Sequence, residues 1–235
     1  MAVNPSIQLG TDGNWAIKED NLLAYKKLGS KFFNREFDFS RGTTATFVGE
    51  DGLIQESAID VPRIDFADDT TGHLLLEPQS TNLVTYSEDF SNSYWTKTGA
   101  SLSSSFASPS GDLSAFKLVE DTSTGNHNVY SGTINVTLGS TYTLSLYVKK
   151  GERSRFRLDG GYRLSLDATF DLNTLAVTGN GTIESFSDGW YKLSATGIGE
   201  VSSAGTNIHF YILNDSGVQS YEGDGTSGLH LGRNA

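Results

Sequence analysis

The densest chemistry in this acidic chain is a run of cations. Lys149, Lys150, Arg153, Arg155, Arg157 and Arg163 lie close together in a protein of formal charge −11. Arg155 and Arg157 alternate with Phe156 and Leu158, which puts both on the outward face of a strand. Arg163, Ser165 and Asp167 likewise alternate with Leu164 and Leu166. Asp159-Gly160-Gly161 reads as a hairpin turn between Phe156–Leu158 and Tyr162–Leu164, so these groups could share one polar sheet face. Arginine forks suit carboxylated or sulfated sugars, and equally an acidic patch on a neighbouring subunit. A solvated face with scattered salt bridges fits the same residues.

Aromatic residues are the second handle. Alternation sets Tyr147, Trp190 and Tyr211 opposite the apolar residues of their strands, where an outward ring can stack on the apolar face of a sugar. With Arg155, Arg157 and Arg163 they form the candidate glycan-binding set. Tryptophan is more often buried than presented, and a turn before Trp190 could rotate it inward. Trp95 follows a turn and could close one end of the fold. Glu88-Asp89 and Glu222-Gly-Asp224 offer hard oxygen ligands for a structural calcium, although their spacing suits plain turns better than a dedicated loop. No other cofactor is expected.

Catalytic spacings are missing from the sequence. His73, His127, His209 and His230 form no H-x-x-H or H-E-x-x-H pattern, and no G-x-S-x-G occurs. Gly179-Asn180-Gly181 reads as a turn. The expectation is a non-enzymatic protein. The alternative is a polysaccharide-degrading enzyme: a glycoside hydrolase needs two carboxylates about 5–9.5 Å apart. A lyase would use a Tyr with His or Arg, for which Tyr162, Arg163 and His209 are candidates.

The elements that must carry these residues read as strands. Apolar residues are 37% of 235, charged residues only 19%, and there are 26 glycines, so polarity comes from hydroxyls and turns. The negative charge argues against a nucleic-acid partner, whose phosphates such a surface repels. No run approaches the roughly 18 apolar residues of a membrane span, and Met1–Pro5 does not start a signal peptide. With no cysteine, disulfides and thiolate metal sites are excluded. Tyr142, Leu144, Leu146 and Val148 alternate with Thr141, Thr143, Ser145 and Tyr147; Tyr191–Ala195 and Ile208–Ile212 repeat the device. Such strands, separated by Gly and Asx turns, specify two packed antiparallel sheets over 81–235. Residues 35–80 read as short strands and form a small β subdomain or collar. Residues 1–34 form an arm, with one helix expected from Ala16 to Leu28 on the spacing of Ile17, Leu22, Tyr25 and Leu28.

Four stretches carry a resemblance when taken in order. They are Phe39–Val48 (FSRGTTATFV) with Glu50–Ile54, Val61–Phe66 (VPRIDF), Leu74–Leu83 (LLLEPQSTNL), and Tyr86–Asn92 followed by Trp95. Ala168–Asp171, Gly189–Tyr191 and Tyr221–Leu229 fit as well. Together they resemble bacteriophage tail and head-appendage proteins that carry a domain similar to jelly-roll carbohydrate-binding modules. The resemblance covers about residues 37–231. It implies an all-β, antiparallel jelly-roll β-sandwich and a structural place in the virion, such as a short fibre, collar or decoration. It also implies partners: other virion proteins through the N-terminal arm, sister subunits in a homotrimer, and host-surface polysaccharide. The first 34 residues lie outside the resemblance, so the mode of attachment is not inherited. The end at Gly228–Arg233 stops where similar proteins continue, which fits a small appendage rather than a full tailspike.

Overall fold

Period-two alternation becomes strand over Thr141–Lys150, Trp190–Ile198 and His209–Leu213. The computed structural model describes residues 22–28, 31–36, 39–68, 70–78, 80–201 and 204–232. They divide into two units, Met1–Gln79 and Ser80–Ala235.

In the first unit, β1 (Leu22–Leu28) pairs antiparallel with β2 (Lys31–Glu36). This corrects the expected helix: its C-terminal half is a strand, while Ala16–Asn21 lies outside the described residues. A helix of about 12 residues is marginal alone in water. The adjacent Lys31-Phe-Phe-Asn-Arg-Glu36 instead satisfies the segment's backbone through a ladder, and its two phenylalanines favour a strand. β3 (Ala45–Val48) pairs with β4 (Ile54–Ser57), and β5 (Ile64–Asp65) with β6 (His73–Leu74). Polar contacts stitch this part together. Arg63 is 8% exposed, donates Nη1 to the Thr46 carbonyl (2.9 Å) and pairs with Glu77 (2.8 Å). Asp65 accepts from the Val48 amide (2.7 Å).

The second unit is a β-sandwich. Its strands are β7 (Thr96–Thr98), β8 (Ala100–Phe106), β9 (Ala115–Glu120), β10 (Thr124–Tyr130), β11 (Ile134–Val136), β12 (Thr141–Lys150), β13 (Arg155–Asp159), β14 (Asp167–Asp171), β15 (Ala176–Gly179), β16 (Gly181–Ser185), β17 (Trp190–Ile198), β18 (Ala204–Thr206), β19 (His209–Leu213), β20 (Ser220–Glu222) and β21 (Gly228–Leu231). Seven form one sheet in the order β15-β14-β13-β19-β10-β20, with β7 also on β10. Six form the other, in the order β16-β17-β12-β21-β9-β8. Leu144, Leu146, Val148, Leu193 and Leu229 of the six-stranded sheet meet Phe156, Leu158, Phe170, Phe210 and Ile212 of the seven-stranded one. Trp95 closes the core beside Phe90 (4.8 Å) and Phe210 (5.4 Å) and donates its indole N–H to the Tyr86 carbonyl. No helix among the described residues is long and apolar enough to cross a membrane.

One register differs from expectation. The partner of β13 is β14, not Tyr162–Leu164; a 3-10 turn at Gly161–Arg163 intervenes, and Leu164 bridges to Gly199. A tight turn at Asp159–Gly161 would set Arg157 directly opposite Arg163, an unfavourable like-charge pair. The observed register sets Phe156 opposite Phe170 and Leu158 opposite Ala168, all inward, and leaves Arg157 opposite Thr169.

Candidate functional site

Strand register assembles a polar and aromatic surface on the outer face of the seven-stranded sheet. One row runs Asp167, Asp159, His209, Tyr130, Thr96 across five adjacent strands. The row beside it runs Thr169, Arg157, Tyr211, Asn128, Thr98. At ~4.8 Å between strands, each row spans about 19 Å.

Within these rows the flat groups stack. Tyr130 and His209 lie 5.0 Å apart at 27°, and His209 and Tyr211 lie 5.5 Å apart at 7°. The Arg157 guanidinium follows, 5.8 Å from the Tyr211 ring centre. Arg157 is also held in the sheet plane: Nε donates to Asp167 Oδ1 (2.7 Å) and Nη2 to Asp167 Oδ2 (2.9 Å). Nη2 also lies 3.2 Å from Asp159, and Nη1 donates to Gln219. A cleft of about 510 Å³ opens over this arrangement, walled by Arg157, Asp159, Tyr162, Asp167, Glu200, His209 and Tyr211.

Local backbone chemistry builds the walls. Gly161 takes φ +69, a conformation that side chains disfavour, and its amide donates to Asp159 Oδ1 (2.7 Å). The chain thereby reverses and leaves Tyr162 83% exposed at the rim. On the Asp167 side, Asn180 is a two-way clamp. Its Oδ1 accepts from the Asp167 amide (3.0 Å) and its Nδ2 donates to the Ser165 carbonyl (2.6 Å). Gly179, at φ +91, allows the close approach: a Cβ there would sit 2.1 Å from the Asp167 carbonyl oxygen.

Burial fixes protonation in the cleft. It lowers the His209 pKa, with a smaller opposing push from Asp159, so the ring is neutral at pH 7. Asn128 Nδ2 faces His209 Nδ1 at 3.3 Å; donation from the amide leaves the imidazole proton on Nε2. Burial raises the Tyr211 phenol, and the Asp167 hydrogen bonds raise Arg157. The cleft therefore presents neutral rings, one cation and carboxylates.

Of the residues singled out from sequence, Arg157 and Tyr211 come together here. Tyr211 is only 8% exposed, because its faces are taken by His209 and Arg157, which corrects the expectation of a ring presented for stacking. Arg155 lies on the same face in the next row and pairs with Asp171 (3.0 Å). Arg163 falls in the 3-10 turn, donates to the Gly205 carbonyl (2.9 Å) and covers the Tyr162 ring at 5.2 Å.

Tyr147 and Trp190 need correction as presented rings. They belong to the six-stranded sheet and are 6% and 1% exposed. Both alternate away from the main core, yet a second apolar layer covers them. Tyr147 packs on Phe186 (5.1 Å), and its carbonyl accepts from the Gly232 amide (2.8 Å). Trp190 is so close to Gly232 that a Cβ there would meet Trp190 at 3.1 Å and Pro109 at 2.9 Å.

The calcium ligands also resolve into turns. Asp89 accepts from the Ser91 amide (3.0 Å) and hydroxyl. Asp224 accepts from Ser227 and Thr226, whose hydrogen bonds hold its carboxyl well below the usual range. Glu88, Asp89, Glu222 and Asp224 do not gather: among the described residues, no three His or acidic side chains converge as a metal site.

Asp167 is read from sequence as part of the polar face, whereas Asp159, Glu200 and Tyr130 escape sequence reasoning as site residues. Tyr130 shares a face with Asn128, opposite the buried His127 and Val129, a placement fixed by strand register; Glu200 carries no signal in the sequence. No protein-family model and no curated protein matches the chain.

Proposed function

We propose that this chain is a structural module of a bacteriophage particle, whose jelly-roll-type sandwich binds host-surface polysaccharide across the seven-stranded sheet. The observation that carries the binding reading is the cleft in which the exposed Tyr162 stands beside stacked His209 and Tyr211 and the Arg157–Asp167 pair. Sugars are bound by flat apolar surface plus a few fixed polar groups; the exposed Tyr162 ring offers the first from the Gly161–Arg163 turn, and Arg157, Asp159 and Asp167 offer the second from strands. The rows of side chains running across five strands suit a chain of sugars rather than a single one. The virion placement, as short fibre, collar or decoration, rests on the ordered sequence resemblance, and the trimeric state on the same footing.

A glycan array probed with the full chain tests the binding. Capture of host-surface polysaccharides is expected, with loss of signal in Tyr162→Ala, whose exposed ring adds little to stability. Absence of any bound glycan would overturn it. Gold-labelled antibody against the chain should decorate intact particles; unlabelled particles would remove the virion placement. One observation favours a second reading, a polysaccharide-degrading enzyme: Tyr162 and His209, candidates for proton transfer, line the same cleft. New reducing ends or unsaturated products from incubated polysaccharide would establish it.

A further inference from the structure

We infer that the cleft sorts glycans by charge, accepting neutral and amine-bearing sugar chains and turning away uronates and sulfated sugars. This rests on the glycan-binding reading above and reverses what an arginine-rich hairpin suggests by itself. An arginine captures a carboxylate or sulfate through a free pair of N–H donors. Arg157 has no such pair to offer. Nε and Nη2 are joined to Asp167, Nη2 also to Asp159 and Nη1 to Gln219, while its flat face lies over Tyr211. Arg155 is likewise joined to Asp171, and Arg163 turns to the Gly205 carbonyl and does not line the cleft.

The charges left at the walls are those of Asp159, Asp167 and Glu200 against one guanidinium. An anionic sugar entering here meets an excess of like charge with no desolvated donor pair to compensate it. A hydroxyl can accept from or donate to every group present. An ammonium on the sugar gains more, since it meets carboxylates together with the exposed face of Tyr162. Glu200 is the cleanest handle on this preference, being exposed and outside the Arg157 pairing.

The test is an array of matched chains on common backbones: neutral, amine-bearing, N-acetylated, uronate and sulfated, probed with the full chain. Hits confined to neutral and amino chains are expected. An amino chain should bind about fivefold tighter than its N-acetylated form in low salt, the size of an exposed ion pair. That advantage should shrink in 1 M salt and in Glu200→Gln. Uronate or sulfated chains binding as well as neutral ones would overturn charge selection and leave glycan binding standing. An amino preference that survives Glu200→Gln unchanged would also overturn it. An array with no hits would overturn glycan binding itself, and this inference with it.

Discussion

Arg153 grips Glu120 through two parallel hydrogen bonds, Nη2 to Oε1 at 2.6 Å and Nε to Oε2 at 3.0 Å, with Glu120 only 1% exposed. Tyr221 donates its hydroxyl to the same carboxylate (2.6 Å), and so does the Asp224 amide (3.0 Å). One buried carboxylate thus ties β9 to the β12–β13 connection, to β20 and to the turn that follows it.

Removing that carboxylate takes the bidentate partner from Arg153, which keeps its longer contacts to Asp215 (3.3 Å) and Asp224 (3.7 Å), and leaves the buried Tyr221 phenol without its acceptor. Glu120→Ala should lower the unfolding free energy by about 3–5 kcal/mol, as loss of one partner of a buried pair does. Arg153→Ala should cost a similar amount. A double variant should cost clearly less than the sum, because either single variant already removes the bidentate contact that the two residues share. Urea unfolding of the three proteins checks this, and additive losses would mean that the two residues act independently.

The same residue sets part of the response to acid. Burial opposes the Glu120 charge, but the Arg153, Tyr221 and Asp224 hydrogen bonds outweigh it and hold the pKa below the ordinary 4.5. A lowered carboxyl contributes stability that is complete above the unfolded value and lost as pH falls through the folded one. His209 and His230 are lowered from 6.5, first by burial, so the unfolded chain binds their protons more readily. Their contribution is complete above about pH 6.5 and declines below it. Stability should therefore hold at neutral pH, begin to fall below pH 6.5, and fall further below pH 4.5. Melting temperatures across pH 3–8 test it. Glu120→Gln should lessen the fall on the lower limb, to which Asp224 also contributes, and leave the upper one.

Asn180 is expected to act on binding through the cleft wall. Changing it to Asp replaces a donor to the Ser165 carbonyl with a carboxylate oxygen that repels it. The residue is exposed, so stability should fall by only about 1 kcal/mol. Glycan affinity should nevertheless drop, since Asp167 and through it Arg157 lose their fixed placement. Titration of Asn180→Asp and Asn180→Ala with a bound glycan, beside their melting curves, separates the effects. Undiminished affinity would show that the wall holds without the clamp.

The two-sheet core was legible because its residues obey a period-two rule over distances as short as Tyr142–Val148. What covers an outward residue was not, since that is decided by chain far away in sequence. Trp190 lies under Pro109 and Gly232, and Arg157 is matched by Asp167 only because Leu164 and Leu166 both turn inward and delay the return strand. The expected N-terminal helix failed for a related reason. Its apolar spacing is compatible with a helix, but the next six residues offered Leu22–Leu28 a ladder, and pairing outweighs spacing in a short segment.

Trp190 gives the sharpest test of the second apolar layer. Its ring is 1% exposed and packs so near Gly232 that a Cβ there would meet both it and Pro109, so Trp190→Ala leaves a hole in a closely packed place. A loss of about 3–5 kcal/mol is expected, against a smaller loss for Trp190→Phe, which retains most of the packing. Gly232→Val should destabilise too, since any Cβ there meets both neighbours inside ordinary contact distance. Combining Gly232→Val with Trp190→Phe should recover part of that cost by making room. Denaturant midpoints for the four proteins decide it. Were Trp190→Ala tolerated at under about 1 kcal/mol, the layer would not be packed as a core and the ring would be free to move outward.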